Sequence, residues 1–255
     1  MPRPTGRPGD AITLPPGAVR RFRGRLLRWF AAHGRDLPWR RTRDPYQVLV
    51  SEIMLQQTQV DRVRPKYEAW VARWPTLEAL AAAPLEEVCA EWRPLGYNVR
   101  PVRLHSIACE AVVRYGGRLP EDRQALLGMR GIGRYTAGAV LAFAFRRDAG
   151  VLDTNVLRVL HRVFLGAGVP GGSPTRQPEA GHATRRRLWD LSERLVPRGK
   201  AWAFNSALMD FGALVCTARR PLCLVCPMKD FCLSSPLARP ARPAHRRGPR
   251  RPRAA

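Results

Sequence analysis

Apolar residues recur along this chain at spacings of three and four with little strict alternation, the pattern of helices that each bury one face. Helices are predicted near 18–33, 45–58, 61–73, 84–93, 100–115, 122–128, 134–146, 154–165, 178–195 and 200–213, with Gly, Pro or Asp at most junctions. The expected fold is all-α. Residues 166–178 read as a loop. Residues 1–17 carry Pro and Gly without a periodic apolar pattern and read as a flexible basic arm. Residues 233–255 read as a disordered basic tail, and the stretch 237–255 alone holds seven arginines and four prolines. That composition buries no apolar area; it either lies along a phosphate backbone or stays solvated.

Composition adds a partner. Among 255 residues, 45% are hydrophobic, enough for a core, and 44 Lys and Arg against 20 Asp and Glu leave a formal charge of +24. Such a charge favours a polyanion through counterion release, with nucleic acid first in line. Only Lys66, Lys200 and Lys229 are lysines, so codon bias also feeds the arginine excess and the net charge alone carries the inference. No apolar run approaches the roughly 18–20 residues of a membrane span, and residues 1–10 lack the apolar stretch of a signal peptide. The expected location is cytoplasmic, at the nucleoid, with no membrane partner. In a reducing compartment six cysteines are ligands, catalysts or core residues before they are disulfides.

Four of them, Cys216, Cys223, Cys226 and Cys232, read C-x6-C-x2-C-x5-C within 17 residues directly after a predicted helix. Four thiolates suit zinc or an iron-sulfur cluster. A zinc ribbon usually brings two C-x2-C knuckles from well-separated places, whereas this run has one short gap and two longer ones. The spacing resembles the cluster loop of the endonuclease III superfamily of DNA glycosylases, which implies a 4Fe-4S cluster on these four cysteines. Arg219, Arg220 and Lys229 are interleaved with the ligands, so the loop reads as a positive surface pinned in shape by metal. Cys89 and Cys109 sit in helical segments and read as core residues.

The stretch 127–136 (LGMRGIGRYT) places Gly131 and Gly133 on either side of an apolar residue, just before the helix predicted at 134. Glycines there permit a tight turn whose free N–H groups, with the positive end of the helix dipole, can cradle a phosphate; Arg134 stands beside them. Glycine pairs also mark ordinary turns. Twenty residues after Gly133, 151–156 (VLDTNV) puts Asp153 at the start of a helix, where a plain N-cap is its commonest task. Taken in order, the glycine pair, the aspartate and the four-cysteine loop resemble the helix-hairpin-helix glycosylases over residues 20–232. The resemblance implies a two-lobed fold: a six-helix, barrel-like lobe with the hairpin at about 127–146, a second lobe from the N- and C-terminal helices, both within 18–215, and the cluster loop at 216–232. It also implies that Asp153 carries chemistry.

Members of that class with lyase activity have a lysine near the start of the hairpin's second helix, which attacks the sugar and forms a Schiff base. Here the position is Tyr135, which implies a monofunctional glycosylase with water as the final nucleophile. Asp44, Pro45 and Gln47 form a good helix start, so Glu52 falls in the third turn among Val48, Leu49, Ile53, Met54 and Leu55. An apolar setting raises a carboxyl pKa and suits a general acid; a solvent-facing glutamate on an amphipathic helix is the plainer alternative.

The string 51–58 (SEIMLQQT) resembles the signature of A/G-specific adenine glycosylases, as do 35–40 (RDLPWR) and 95–97 (LGY). That resemblance implies that Glu52 protonates N7 of an extruded adenine. It makes Gln57 and Tyr97, with Gln56 and Thr58, the wedge filling the gap, and Leu37, Trp39 and Arg40 part of the base pocket. Asp153 would stabilise the oxocarbenium-like sugar, with Asn155 and Tyr135 as positioning groups or, more plainly, as helix-start polarity and packing. Double-stranded DNA with an adenine opposite guanine or 8-oxoguanine is the implied partner, bound by a monomer. Two departures qualify this. Such enzymes usually carry a C-terminal domain that recognises 8-oxoguanine, whereas this chain runs 23 residues beyond Cys232, and Asn98 replaces a second tyrosine. Plain A:G mispairs are the expected substrate. The alternatives are a mismatch thymine or uracil glycosylase, and a non-catalytic DNA-binding protein on the same scaffold.

Overall fold

The computed structural model describes residues 12, 14, 17–96, 99–166, 181–235 and 237. Among them eleven α-helices and two 3-10 turns occur, and no strand. The helices are α1 (Ala18–His33), α2 (Pro45–Met54), α3 (Val60–Arg73), α4 (Leu77–Ala82), α5 (Leu85–Trp92), α6 (Val99–Tyr115), α7 (Arg123–Gly128), α8 (Arg134–Phe143), α9 (Thr154–Phe164), α10 (His182–Leu195) and α11 (Ala201–Leu214). None is long and apolar enough to cross a membrane.

Side-chain caps start several helices. Asp44 accepts from Tyr46 N at 2.8 Å, with Pro45 fixing φ in the first turn of α2. Thr76 caps α4, Asp122 caps α7 and Asp153 caps α9, each accepting the N–H three residues on. Packing sorts the helices into two groups. In the first, α2 lies on α3, α6 and α8, α6 also carries α4 and α5, and α7 packs on α8. In the second, α11 touches α1 and α9, and α9 touches α10. The groups meet where α8 touches α11, and one apolar core runs through both. Trp70 meets Trp74 and Trp92 edge-on at 4.6 and 5.2 Å in the first; Phe22 meets Phe164 and Phe204 at 5.0 and 6.2 Å in the second. On α9 the stripe Val156, Val159, Leu160 and Val163 is buried, each side chain contributing roughly 1.5–3 kcal/mol.

Several boundaries differ from expectation. Helix α2 ends at Met54 rather than near 58, because Gln57 adopts a left-handed φ of 56° that no α-helix accommodates. Likewise α8 ends at Phe143, and Arg146 has φ 58°. The short helix α4 escaped the periodicity: six residues hold too little pattern, and only the Thr76 cap and Leu77 with Leu80 mark it. The arm before α1 is not free throughout, since Ile12 is buried and its carbonyl accepts from Arg194. After the cysteine run, Leu233 N and Ser234 N donate to the carbonyls of Val163 and Arg162, so the tail begins docked on the end of α9. The predicted loop 166–178 lies outside the described residues apart from Gly166, as does the tail apart from 233–235 and 237.

Candidate active site

Two carboxylates come from different groups of helices, and the charge of one, Asp153, reaches the other, Glu52. Glu52 projects from α2 and is 5% exposed. The hydroxyl of Tyr135, in the first turn of α8, donates to Glu52 Oε2 at 2.7 Å. Burial pushes the Glu52 carboxyl up to about 7 against the pull of that hydrogen bond; the Asp153 carboxylate adds to the rise and Arg40 opposes it. Burial and the same two carboxylates hold the Tyr135 phenol well above its ordinary value, so it remains a donor. The plainer expectation for Glu52, a solvent-facing residue, is excluded by its burial.

Asp153 is the N-cap of α9. Its Oδ1 accepts from Val156 N at 2.6 Å and its Oδ2 from Asn155 Nδ2 at 3.1 Å. Burial raises its pKa, and those hydrogen bonds with the nearby Arg158 oppose the rise. The amide of Asn155 therefore bridges: its Oδ1 accepts from Arg158 Nη2 at 2.7 Å, and Arg158 in turn donates to Gly212 O at 2.7 Å and Cys216 O at 2.8 Å. One turn on, Arg162 donates to Thr217 O at 2.7 Å and Ala218 O at 2.9 Å, and approaches Cys216 Sγ at 3.6 Å. The face of α9 opposite its apolar stripe thus ties the aspartate to the start of the cysteine run.

All six cysteines are free and half-buried, so Cys89 and Cys109, expected as core residues, lie at the edge of the core instead. Burial pushes the Cys226 thiol up to about 11 and raises that of Cys232, and the neighbouring cysteines of the run add to both rises. Four half-buried thiols gathered in one short run suit a cationic centre that stabilises them as thiolates. Among the described residues, no group of three or more His, Cys, Asp or Glu is arranged to hold a single metal ion. The loop is anchored from outside as well: Arg25 of α1 donates to Pro227 O at 2.7 Å and pairs with both Asp230 oxygens.

The predicted phosphate cradle stands at the turn before α8. Gly131 has φ 105°, which L-residues rarely adopt, and Gly133 is the N-cap. An added Cβ at Gly131 would sit 2.5 Å from Arg103 Cγ. Gly131→Ala is expected to cost roughly 1–3 kcal/mol and to weaken duplex binding, measured as a lower thermal midpoint and a shallower salt dependence; unchanged values for both would remove the hairpin from the binding surface. Arg134 is exposed, its guanidinium 4.4 Å from the Trp189 ring centre. Gln57 is exposed at the loop tip, with Gln56 and Thr58 half-buried beside it. Tyr97 and Asn98 lie outside the described residues. Leu37 and Trp39 are buried, Trp39 edge-on to Tyr67 at 5.4 Å, so they can supply only wall to a pocket.

Residues 50–178 match the family of HhH-GPD superfamily base excision DNA repair proteins. The chain belongs to that superfamily. Residues 216–232 match the iron-sulfur binding domain of endonuclease III, so the cysteine run of this HhH-GPD protein is an iron-sulfur loop and not a zinc site. The adenine DNA glycosylase of Homo sapiens is 44% identical over 223 residues, 84% of this chain and 39% of that one. The chain thus spans about two fifths of the length of that relative. The thymine/uracil-DNA glycosylase of Methanothermobacter thermautotrophicus is 36% identical over 212 residues, 83% of this chain and 91% of that one. The solved structure of a thermostable thymine-DNA glycosylase superposes with a TM-score of 0.74 at 34% identity, covering 84% of this chain and 94% of that one.

Within this HhH-GPD site, sequence reasoning missed Asp210. It is fully buried on α11 and accepts from Arg40 Nη1 at 2.7 Å and Nη2 at 2.8 Å, and from Arg35 N at 2.9 Å and Nε at 2.7 Å. Burial alone would raise its pKa; the two arginines more than offset that and hold it below its ordinary value. Arg40 is therefore a strut tied to α11, its charge largely answered by Asp210 before it reaches Glu52. The signal was present: an aspartate between Met209 and Phe211 on a strongly apolar helix needs a buried partner. Arg158 and Arg162 offered no such signal, since cations four apart on an amphipathic helix normally face water.

Proposed function

We propose that this chain is a monofunctional DNA glycosylase of base excision repair that hydrolyses the N-glycosidic bond of adenine mispaired with guanine or 8-oxoguanine. Its partner is double-stranded DNA and its cofactor a 4Fe-4S cluster on Cys216, Cys223, Cys226 and Cys232. The carrying observation is the buried Glu52, hydrogen-bonded by Tyr135 and poised near neutral pKa across from Asp153. Adenine is a poor leaving group. Glu52 gives a proton to N7 of the extruded base, which departs neutral, while the Asp153 carboxylate stabilises the positive charge growing on the sugar. Water then attacks C1′ and loses its proton to Asp153. Tyr135 holds Glu52, and Asn155 holds Asp153. The cluster, when bound, supplies the positive charge that keeps the thiolates together and the loop in shape.

Around that centre Gln57, with Gln56, Thr58 and Tyr97, fills the gap left by the flipped base, while Gly131, Gly133 and Arg134 hold the phosphate. Leu37 and Trp39 wall the pocket over the strut at Arg40. Adenine is supported over thymine by the QQT string and by the 44% identity to an adenine enzyme against 36% to a thymine/uracil one. Thymine or uracil release opposite guanine is a second reading, favoured by the relative of which this chain covers 91%. One assay separates them: purified brown protein on A:G, A:8-oxoguanine, T:G and U:G duplexes side by side. Strand breaks are expected from the adenine duplexes only, and only after alkali. Equal or greater release from T:G or U:G overturns the adenine assignment, and strong borohydride trapping overturns the monofunctional one.

A further inference from the structure

Arg100, near the start of α6, is 3% exposed, and its guanidinium lies 5.3 Å from the Trp92 ring centre. Its Nη1 shares its protons among the carbonyls of Ile53 at 3.2 Å, Met54 at 2.9 Å and Gln56, and Thr58 Oγ1 at 3.2 Å. Its Nη2 donates to Thr58 Oγ1 at 3.2 Å and to the carbonyls of Leu95 and Gly96 at 3.1 Å each. The Ile53 and Met54 carbonyls belong to the end of α2, where Ile53 O also accepts weakly from Gln56 N at 3.4 Å, and a cation at a helix C-terminus is ordinary. The contacts beyond the helix are not. Gln56 O and Thr58 Oγ1 flank Gln57, whose left-handed backbone is costly for a residue with a Cβ and persists only where its surroundings over-determine it. The other acceptors sit on a second loop. There Gly96, at φ 72° and ψ −172°, holds a conformation open essentially to glycine alone, and Trp92 Nε1 donates to the same Gly96 carbonyl at 3.2 Å.

We propose that Arg100 is a positioning residue that presets the exposed Gln57 for entry into the duplex, by tying both flanks of Gln57 to the turn at Leu95 and Gly96. This rests on the function proposed above, in which Gln57 fills the gap left by the extruded base. With the clamp in place the tip is ordered before it meets DNA; without it, Gln57 relaxes and must be ordered during binding. The loss then falls on opening the duplex, while bond cleavage by Glu52 and Asp153 is untouched. Lysine at 100 keeps the charge but presents its donors from a single nitrogen, which cannot fork across two loops.

The test uses the full chain with its cluster and a duplex carrying 2-aminopurine beside the mispaired adenine. A second duplex has the bases flanking the mispair already unpaired. Wild-type protein raises 2-aminopurine fluorescence as the stack opens, and R100K loses most of that rise. On the closed duplex kcat/KM of R100K falls about 10²-fold, and on the pre-opened duplex it returns to within about tenfold of wild type, with an unchanged pH profile. Thr58→Val removes the Oγ1 acceptor of both Arg100 nitrogens, together with the hydroxyl's own bond to Gln56 O at 3.3 Å, and shows a smaller loss of the same pattern, which carries the test if R100K does not fold. Equal fluorescence rises in wild type and both variants, or equal losses on both duplexes, overturn the clamp; so does the absence of any rise with wild type. A wild type that opens the duplex but releases no base defeats the proposed chemistry instead and leaves fluorescence to judge Arg100.

Discussion

Asp153→Asn is expected to lower the single-turnover rate of adenine release about 10³-fold while leaving duplex affinity and the helical signal near wild type. The reason lies in the two tasks of one side chain. As N-cap of α9, Asp153 accepts from Val156 N, and asparagine caps a helix about as well as aspartate. As the anionic group facing the sugar, it has no neutral substitute. The substitution also turns an amide N–H₂ towards that of Asn155, which now donates to Oδ2, and costs about 1 kcal/mol of stability. A rate within tenfold of wild type would remove Asp153 from the chemistry.

Glu52→Gln tests the other side of the bond. Glutamine keeps the volume and can still accept from Tyr135, but has no proton to give, so the expected loss is about 10²–10⁴-fold. The pH dependence carries the sharper signature. With the Glu52 carboxyl raised to about 7, the acid is protonated below that pH and lost above it, so the wild-type rate falls as pH rises through about 7. In Glu52→Gln that limb disappears. A limb that persists in the variant, or a wild-type rate that climbs through the same window, contradicts the assignment. Stability moves with the same sign: a carboxyl whose folded pKa lies above its unfolded value of 4.5 contributes stability that is complete below 4.5 and lost as pH rises through about 7. Glu52→Gln should therefore raise the thermal midpoint more at pH 8 than at pH 4.

Much of the fold and part of the candidate site were legible in the one-dimensional pattern. Long helices such as α1, α6 and α9 carry enough turns for an apolar stripe to stand out, and Asp44 with Pro45 marked the start of α2 by local chemistry alone. The end of α2 was not legible, because Val48 to Leu55 reads as helix and what stops it is Gln57, held left-handed by a guanidinium from α6. Glu52 could be read either as an acid or as a surface residue. Its apolar neighbours along α2 decided nothing until α8 placed Tyr135 against it.

Local pattern was enough for the helical class, the four thiols of the iron-sulfur loop and the glycine turn, since each depends on residues within a few turns of one another, and it offered the two carboxylates only as candidates. Tertiary structure alone decided what those groups experience. The near-neutral carboxyl of Glu52 comes from burial between α2 and α8 and from an aspartate about a hundred residues further along the chain. Arg40 became a strut because Asp210 arrives from α11, and Asp153 is joined to the cysteine loop because Arg158 spans the gap. A short-range pattern records which face a residue turns inward; it cannot record which charge waits on the other side, and for buried ionisable groups that charge sets the chemistry.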